Sequence, residues 1–432
     1  MRILSILIVI LILFSCKSQT NPLIEFNPRT IEGHKTTLAE IADDIEYIPF
    51  DNSLSLGNFY MYKLLDSNIY ISTREQGIIV FNRNGKFIRK IGAQGRGPGE
   101  YHYCMNFDVD PKSKSVYVLD GIIIKVYNGS GQFQRSISLK DYDWRFDNIT
   151  FYNKKLFVSE AIYQGRAKYS WLILDTNGVL LSKKYNSIPT FDSNLPSDVG
   201  TYIFNDDLFY WEQYNDTVFS ILPDLNYEPA LLFSPGEHRF PKSRFPINPS
   251  NLEPFIQFLK THLQIRLIFE TKRFLIIRYY YMIPTIALIE KESQKTYLFK
   301  MVPDEVNGTN VGGIINDLDA GIMFQPEYYY VDNNFEYIIT LAYPSQIKDR
   351  VTSNDFLTTI PKYPDKKQEL KNLANSLKET DNQVLMMVRL KEQCRVGKGD
   401  FHPQTSHRTV LEPLDSYGSS KERDKGRKPY SQ

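Results

Sequence analysis

"GIIVFNRNGKFIRKIG" (77–92) and "IIIKVYNGSGQFQRSIS" (122–138) carry one pattern. A run of β-branched and aromatic residues meets a turn built on Asn and Gly, and a second such run comes after it. The turn glycines, Gly85 and Gly131, are 46 residues apart. "WLILDTNGVLLSKKY" (171–185) repeats the pattern with Gly178 another 47 on. "TVFSILPDLNYEPALLF" (217–233) and "TIALIEKESQKTYLFK" (285–300) are a fourth and a fifth copy. Two further strand-like runs precede each copy, as "MNFDVDPKS" and "SVYVLDG" precede the second. Four short strands per unit of about 46 residues is the signature of a β-propeller, in which each unit folds as one blade.

A sixth unit begins at "GGIINDLDAGIMFQPEYYY" and resumes only at "DNQVLMMVRLK" (381–391). It lacks a fourth strand, whereas "DIEYIPF" (44–50) is a strand with no unit of its own. An open blade would leave an unpaired sheet edge, so the two are expected to pair. The fold expected is all-β: a six-bladed β-propeller of four-stranded antiparallel blades over 45–392, closed by 45–50 beside 383–390. Two short helical insertions interrupt it. Leu252, Phe255, Ile256, Leu259 and Leu263 recur at helical spacing between blades four and five. Leu370, Leu373, Ala374 and Leu377 come after Pro364-Asp365 near the end. Both stripes are expected to pack on the propeller flank.

Lys and Arg total 51 and Asp and Glu 50, a net charge of +1, which excludes nucleic acid as a bulk electrostatic partner. After Cys16 only Cys104 and Cys394 remain, with no CxxC or Cys/His zinc spacing, and they read as unpaired thiols. Residues 393–432 are charged, scattered with Gly and Pro and without periodicity, and are expected to form a disordered tail.

At the N-terminus Arg2 precedes an apolar run from Ile3 to Phe14, too short for the roughly 20 residues that cross a bilayer as a helix. The run ends in Leu13-Phe14-Ser15-Cys16, which resembles a bacterial lipobox. That resemblance implies a signal peptide over 1–15, lipid on Cys16 and an N-terminal tether over 16–44. Lys17 in place of Asp, and the lack of acid in Ser18-Gln19-Thr20-Asn21, imply an outer-membrane, periplasm-facing position by the same analogy.

"IGAQGRGPGEY" (91–101) joins blade one to blade two. It is no Walker loop, since Glu100 stands where Lys would be needed, and the residues after it are strand-like rather than helical. The glycines suit a tight crossing. With "FDVDPKSKSVYVLDGIIIKVYNGSGQF" behind it, this segment resembles an NHL-type repeat. The lipobox, the "DIEYIPF" leader strand, the glycine-rich crossing and the late "DNQVLMMVRLK" strand together resemble the six-bladed propeller lipoproteins of the Bacteroidetes over about 16–392. That resemblance implies architecture and location and carries no chemistry.

The histidines His34, His102, His238, His262, His402 and His407 form no catalytic or metal-binding motif. Asp108, Asp110, Asp317 and Asp319 are the carboxylates that calcium would use; the alternative reading makes them strand-end caps, and no cofactor is expected. In a propeller, the loops between second and third strands share one face with the crossings between blades. On that face the sequence places Arg74, Arg96, Glu100, Tyr101, Trp144, Arg145, Arg166, Arg239 and Tyr281 as candidate ligand-binding residues. Arginine and aromatic side chains bring forked donors and flat area to binding surfaces. The function expected is that of a monomeric, lipid-anchored, non-catalytic binding or scaffold protein for a glycan, a peptide or an envelope protein. A propeller enzyme, a metal-assisted hydrolase or lyase acting on carbohydrate, stays open as the alternative.

Overall fold

The structure is a computed structural model describing residues 24–392, apart from 58, 144, 162–163, 196, 235 and 305–308. The signal peptide, Cys16, Cys394 and the tail over 393–432 lie outside the described residues. Two strands precede the first blade: β1 (Ile24–Phe26) and, after the one-turn helix α1 (Leu38–Ile41), β2 (Ala42–Pro49). Blade one is β3 (Phe59–Leu65), β4 (Asn68–Thr73), β5 (Gly77–Asn82) and β6 (Phe87–Ile91). Blade two is β7 (Asn106–Val109), β8 (Val116–Asp120), β9 (Ile123–Tyr127) and β10 (Phe133–Ser138). Blade three is β11 (Asn148–Tyr152), β12 (Lys155–Ser159), β13 (Tyr169–Asp175) and β14 (Leu180–Tyr185). Blade four is β15 (Val199–Phe204), β16 (Asp207–Glu212), β17 (Thr217–Ile221) and β18 (Tyr227–Phe233). Helix α2 (Glu253–Thr261) leads into blade five: β19 (Gln264–Glu270), β20 (Phe274–Tyr281), β21 (Ile283–Glu290), β22 (Thr296–Asp304) and an added β23 (Thr309–Gly312). Blade six starts with β24 (Tyr328–Asp332) and β25 (Phe335–Ala342). Helices α3 (Pro344–Thr352), α4 (Asn354–Thr358) and α5 (Pro364–Ser376) then intervene before β26 (Val384–Leu390).

The fourth strand of blade six is β2, antiparallel to β26 from Ala42↔Leu390 to Pro49↔Val384. The chain therefore forms a ring of six four-stranded antiparallel blades, two of them carrying a fifth strand. Three of the hairpins inside the blades close on tight two-residue turns of the same kind. Asn153-Lys154, Asn205-Asp206 and Asn333-Asn334 all have positive φ at both positions, the conformation whose twist matches the flanking strands.

Six apolar clusters hold the ring, one at each junction of neighbouring blades. Ile78, Val80 and Ile91 of blade one meet Phe107, Val116 and Val118 of blade two. At the closing junction, Ile48, Ile339 and Leu385 of blade six meet Tyr62, Ile69 and Ile71 of blade one. The inner strands β3, β7, β11, β15, β19 and β24 surround the axis.

Two expectations need correction. Residues 24–41 are not a tether. β1 pairs in parallel with β18 as the outermost strand of blade four, and Phe26, fully buried, meets the rings of Phe233 at 6.0 Å and Tyr279 at 5.2 Å. Three residues are too few to show a strand period, so the sequence offers no signal for it. The second insertion is three helices rather than one. Pro344 opens α3, and Ser353 ends α3 and caps α4, its side chain accepting from the Phe356 N–H. Ile347, Phe356, Leu370 and Ala374 bury against the junction of blades five and six. Helix α2 behaves differently: none of its residues is buried, and Phe255, Phe258 and Leu259 pack onto a small cluster of Leu195, Tyr214 and Phe240.

Candidate ligand site on the propeller axis

Inner strands of a propeller splay apart, so their backbones cannot bond to one another and side chains bridge the gaps. Here the bridging groups are neutral amides and hydroxyls. The Asn106 Nδ2 donates to Asn148 Oδ1 at 3.2 Å, and Asn148 Nδ2 donates to Thr201 Oγ1 at 3.2 Å. Thr201 Oγ1 and Thr150 Oγ1 form a hydrogen bond of 2.6 Å in which either hydroxyl can donate, and Asn106 Oδ1 accepts from the Ile149 N–H at 3.3 Å. One ladder thus ties blades two, three and four around the axis. A charged bridge runs beside it: Lys63 Nζ lies 2.6 Å from Asp108 Oδ2, which also accepts from the Phe151 N–H at 2.8 Å.

These strands enclose a cavity of about 480 Å³ on the axis. Tyr60, Tyr62, Tyr202, Tyr328 and Tyr329 add aromatic surface to its wall. Tyr202 stacks on Phe209 with centroids 4.6 Å apart and donates to Glu270 Oε1 at 2.8 Å. Burial, and then the Glu270 charge, push its hydroxyl well above the usual tyrosine range, so it remains a hydrogen-bond donor at all physiological pH. A second cavity of about 450 Å³ opens between blades five and six and shares Leu267 and Glu327 with the first. Arg278 stands in its wall, with Nη1 2.8 Å from Glu327 Oε1.

The residues proposed from sequence do not converge. Tyr101 is buried under the crossing, its hydroxyl donating to the Ile91 carbonyl at 2.8 Å and accepting from the Ile78 N–H at 3.1 Å. The glycine-rich loop fits around it. Gly92 has φ +59°, and a Cβ there would sit 2.5 Å from Tyr127. Glu100 folds back to accept from the Gly97 N–H at 2.8 Å and fills the space beside Gly95, where a Cβ would overlap it. Arg239 is buried too, with Nε 2.7 Å from Asp216 and Nη2 2.8 Å from the Gln213 carbonyl. Arg145 pairs with Asp147 at 2.5 Å, and Tyr281 is half-buried, 6.1 Å from the His238 ring. Arg74, Arg96 and Arg166 are exposed, and Trp144 lies outside the described residues. Tyr101 and Arg239 are thus parts of the scaffold, because a loop that crosses between blades needs an anchor beneath it.

The proposed calcium carboxylates have protein partners. Asp108 pairs with Lys63, Asp110 accepts from Lys112 N and Ser113 Oγ, and Asp317 accepts from Ala39 N at 2.7 Å. Asp319, fully buried, accepts from Gly321 N at 2.8 Å, and burial raises its carboxyl above the usual range. Among the described residues no three His, Cys, Asp or Glu side chains are grouped to hold a metal. Cys104 is a buried free thiol.

The axial ladder was not read from the sequence, although a signal existed. An amide opens the inner strands of blades two and three, in "NFDV" (106–109) and "NITFY" (148–152), where apolar residues would serve packing equally well.

A model of the family described as "Domain of unknown function (DUF4934)" matches residues 23–389, from the start of β1 to within β26. The chain belongs to the DUF4934 family. The DUF4934 match takes in both N-terminal strands, so the closing strand and the strand added to blade four lie inside the family's span. Among solved structures, one of a Bacteroides fragilis protein named as exported aligns at a TM-score of 0.60 and 18% identity, covering 86% of this chain and all of that one. A DUF4221 protein of Bacteroides vulgatus aligns at 0.44 and 11%, covering 81% and 97%. A virginiamycin B lyase of Staphylococcus aureus aligns at 0.36 and 13%, covering 68% and 95%. The first of these likenesses shows a shared fold. None of the curated proteins matches the chain in sequence. Among the described residues no helix is long and apolar enough to cross a membrane.

Proposed function

We propose that this DUF4934 propeller is an exported, lipid-anchored binding protein that receives a polar ligand end-on in its axial cavity. The observation that carries the reading is the cavity wall: amides and hydroxyls of Asn106, Asn148, Thr150 and Thr201 beside five tyrosines. Neutral donors and acceptors on rigid strands suit recognition of a ligand's own amides or hydroxyls, and aromatic walls supply apolar area at little entropic loss. The charged groups at this site are already engaged, Lys63 with Asp108 and Glu327 with Arg278, which favours binding over acid–base chemistry.

Filling the cavity tests the site. Ile203 lines it and is 41% exposed, so a tryptophan there should not disturb the core. For short oligosaccharides and tripeptides measured by isothermal titration, Ile203→Trp is expected to weaken any binder at least about tenfold, roughly 1.4 kcal/mol. The melting temperature should hold. Undiminished affinity in that variant places the ligand elsewhere.

The anchor is tested separately. Cys16→Ala should release the protein from the membrane fraction or leave it unprocessed. Membrane association and processing that survive the change would remove the lipid from the reading.

A further inference from the structure

We infer that the cavity between blades five and six captures the C-terminal carboxylate of a peptide whose preceding amides enter the axial cavity; this rests on the axial-site reading above. The two cavities adjoin at Leu267 and Glu327, which stand in the walls of both, and the inference is that one ligand reaches across them. Their chemistry differs. The axial wall is made largely of neutral polar and aromatic groups, whereas the side cavity has two guanidinium groups, Arg266 and Arg278, and one carboxylate, Glu327.

Each guanidinium has five N–H donors. Arg278 uses Nη1 on Glu327 at 2.8 Å and Nη2 on Gln325 at 3.3 Å. Arg266 uses Nη1 on Asp198 at 3.1 Å and Nη2 on Gln264 at 2.8 Å. Donors therefore remain on both, and a carboxylate is the planar acceptor that matches a guanidinium fork. Each guanidinium already has one carboxylate partner, Asp198 for Arg266 and Glu327 for Arg278. A dianionic phosphate would therefore meet like charge, while the donors left on the two arginines suit a monoanion.

The rest of that cavity decides what carries the carboxylate. Leu267, Pro284 and Met301 form an apolar wall. An anion flanked by an apolar group, next to a cavity lined with amides and hydroxyls, is the pattern of a peptide ending in an apolar residue. The Asn106–Asn148–Thr201 ladder offers both donors and acceptors to the amides behind it. A uronic-acid sugar supplies the anion but surrounds it with hydroxyls, which the apolar wall leaves unpaired.

The test is titration of the whole exported chain with acetyl-Ala-Ala-Leu as free acid and as C-terminal amide. The acid should bind at least tenfold more tightly than the amide. Arg278→Gln should abolish that preference. Arg266→Gln should reduce it from a more exposed position, without leaving Glu327 unpaired. Ile203→Trp should weaken both peptides. Melting curves identify a variant that has failed to fold, and the Arg266 variant then carries the test. Equal binding of acid and amide overturns the inference but leaves the axial reading, provided Ile203→Trp still weakens both. Binding of a trigalacturonate that depends on Arg278, with no peptide binding, assigns the carboxylate to a sugar and overturns the peptide. Failure of both peptides and the trigalacturonate to bind overturns the inference outright.

Discussion

Deleting residues 24–49 is expected to abolish folding: no cooperative melt and an aggregated elution profile. β2 supplies the fourth strand of blade six, and its seven pairs with β26 are the only backbone bonds on that side of β26 among the described residues. Ala42, Ile45 and Ile48 on it are at most 3% exposed, and they reach into the clusters at both junctions of blade six. Each isoleucine removed from such a core costs about 2–5 kcal/mol, and the bare edge of β26 invites pairing between molecules. Net stabilities are about 5–15 kcal/mol, so the loss consumes the whole margin. Removing only residues 24–33 is a milder change. It takes away β1 and Phe26 but leaves the ring closed, and should lower stability by about 3–5 kcal/mol while preserving a cooperative transition. If the longer deletion melts like the intact protein, β2 does not close the ring.

Glu160→Gln is expected to stabilise the protein, and by more as pH rises. Glu160 directly succeeds β12 and is 1% exposed, and neither carboxyl oxygen has a hydrogen-bond partner. Burial first, and then the charges of Asp143 and Asp147, push its carboxyl up to about 8. An unfolded chain releases that proton near 4.5. Between these values the native state holds the proton that the unfolded state has lost. The contribution of Glu160 is thus fully present below the lower value and is lost as pH rises through the upper one. At pH 7 the cost of taking up that proton on folding is on the order of 2–3 kcal/mol, which glutamine avoids. Glu212, at the end of β16, is raised to about 7 by burial and should behave in the same direction. The buried Tyr210 hydroxyl, unpartnered itself, feels both carboxylates. Urea denaturation at pH 5 and pH 8 reads the effect: the gap between variant and parent should widen with pH. An identical gap at both pH values would contradict the buried, proton-holding state of Glu160.

How much of this was legible in the sequence depends on the distance over which each feature is specified. The blades are local objects. Each is a run of consecutive strands with a turn every few residues, so the period near 46 residues, the turn glycines Gly85, Gly131 and Gly178 and the orphan strand at 44–50 determined a six-bladed ring. The crossing "IGAQGRGPGEY" was likewise readable as a corner, since its glycines answer a backbone requirement. The site is not local. Asn106, Asn148 and Thr201 stand on three blades and meet only because the ring brings their inner strands around one axis. Tyr101 and Arg239 looked like surface groups because they lie in loops, yet a loop's side chains point inward or outward according to what packs beneath them. β1 shows the same limit: Ile24–Phe26 is too short to announce a strand, and its parallel partner β18 lies some 200 residues away. Sequence alone therefore determined the repeat and its closure, whose signals are periodic and near in the chain. Tertiary structure alone decided which polar groups face the axis, which arginines are anchored by carboxylates and where the cavities lie, because those depend on contacts between residues that the chain itself keeps far apart.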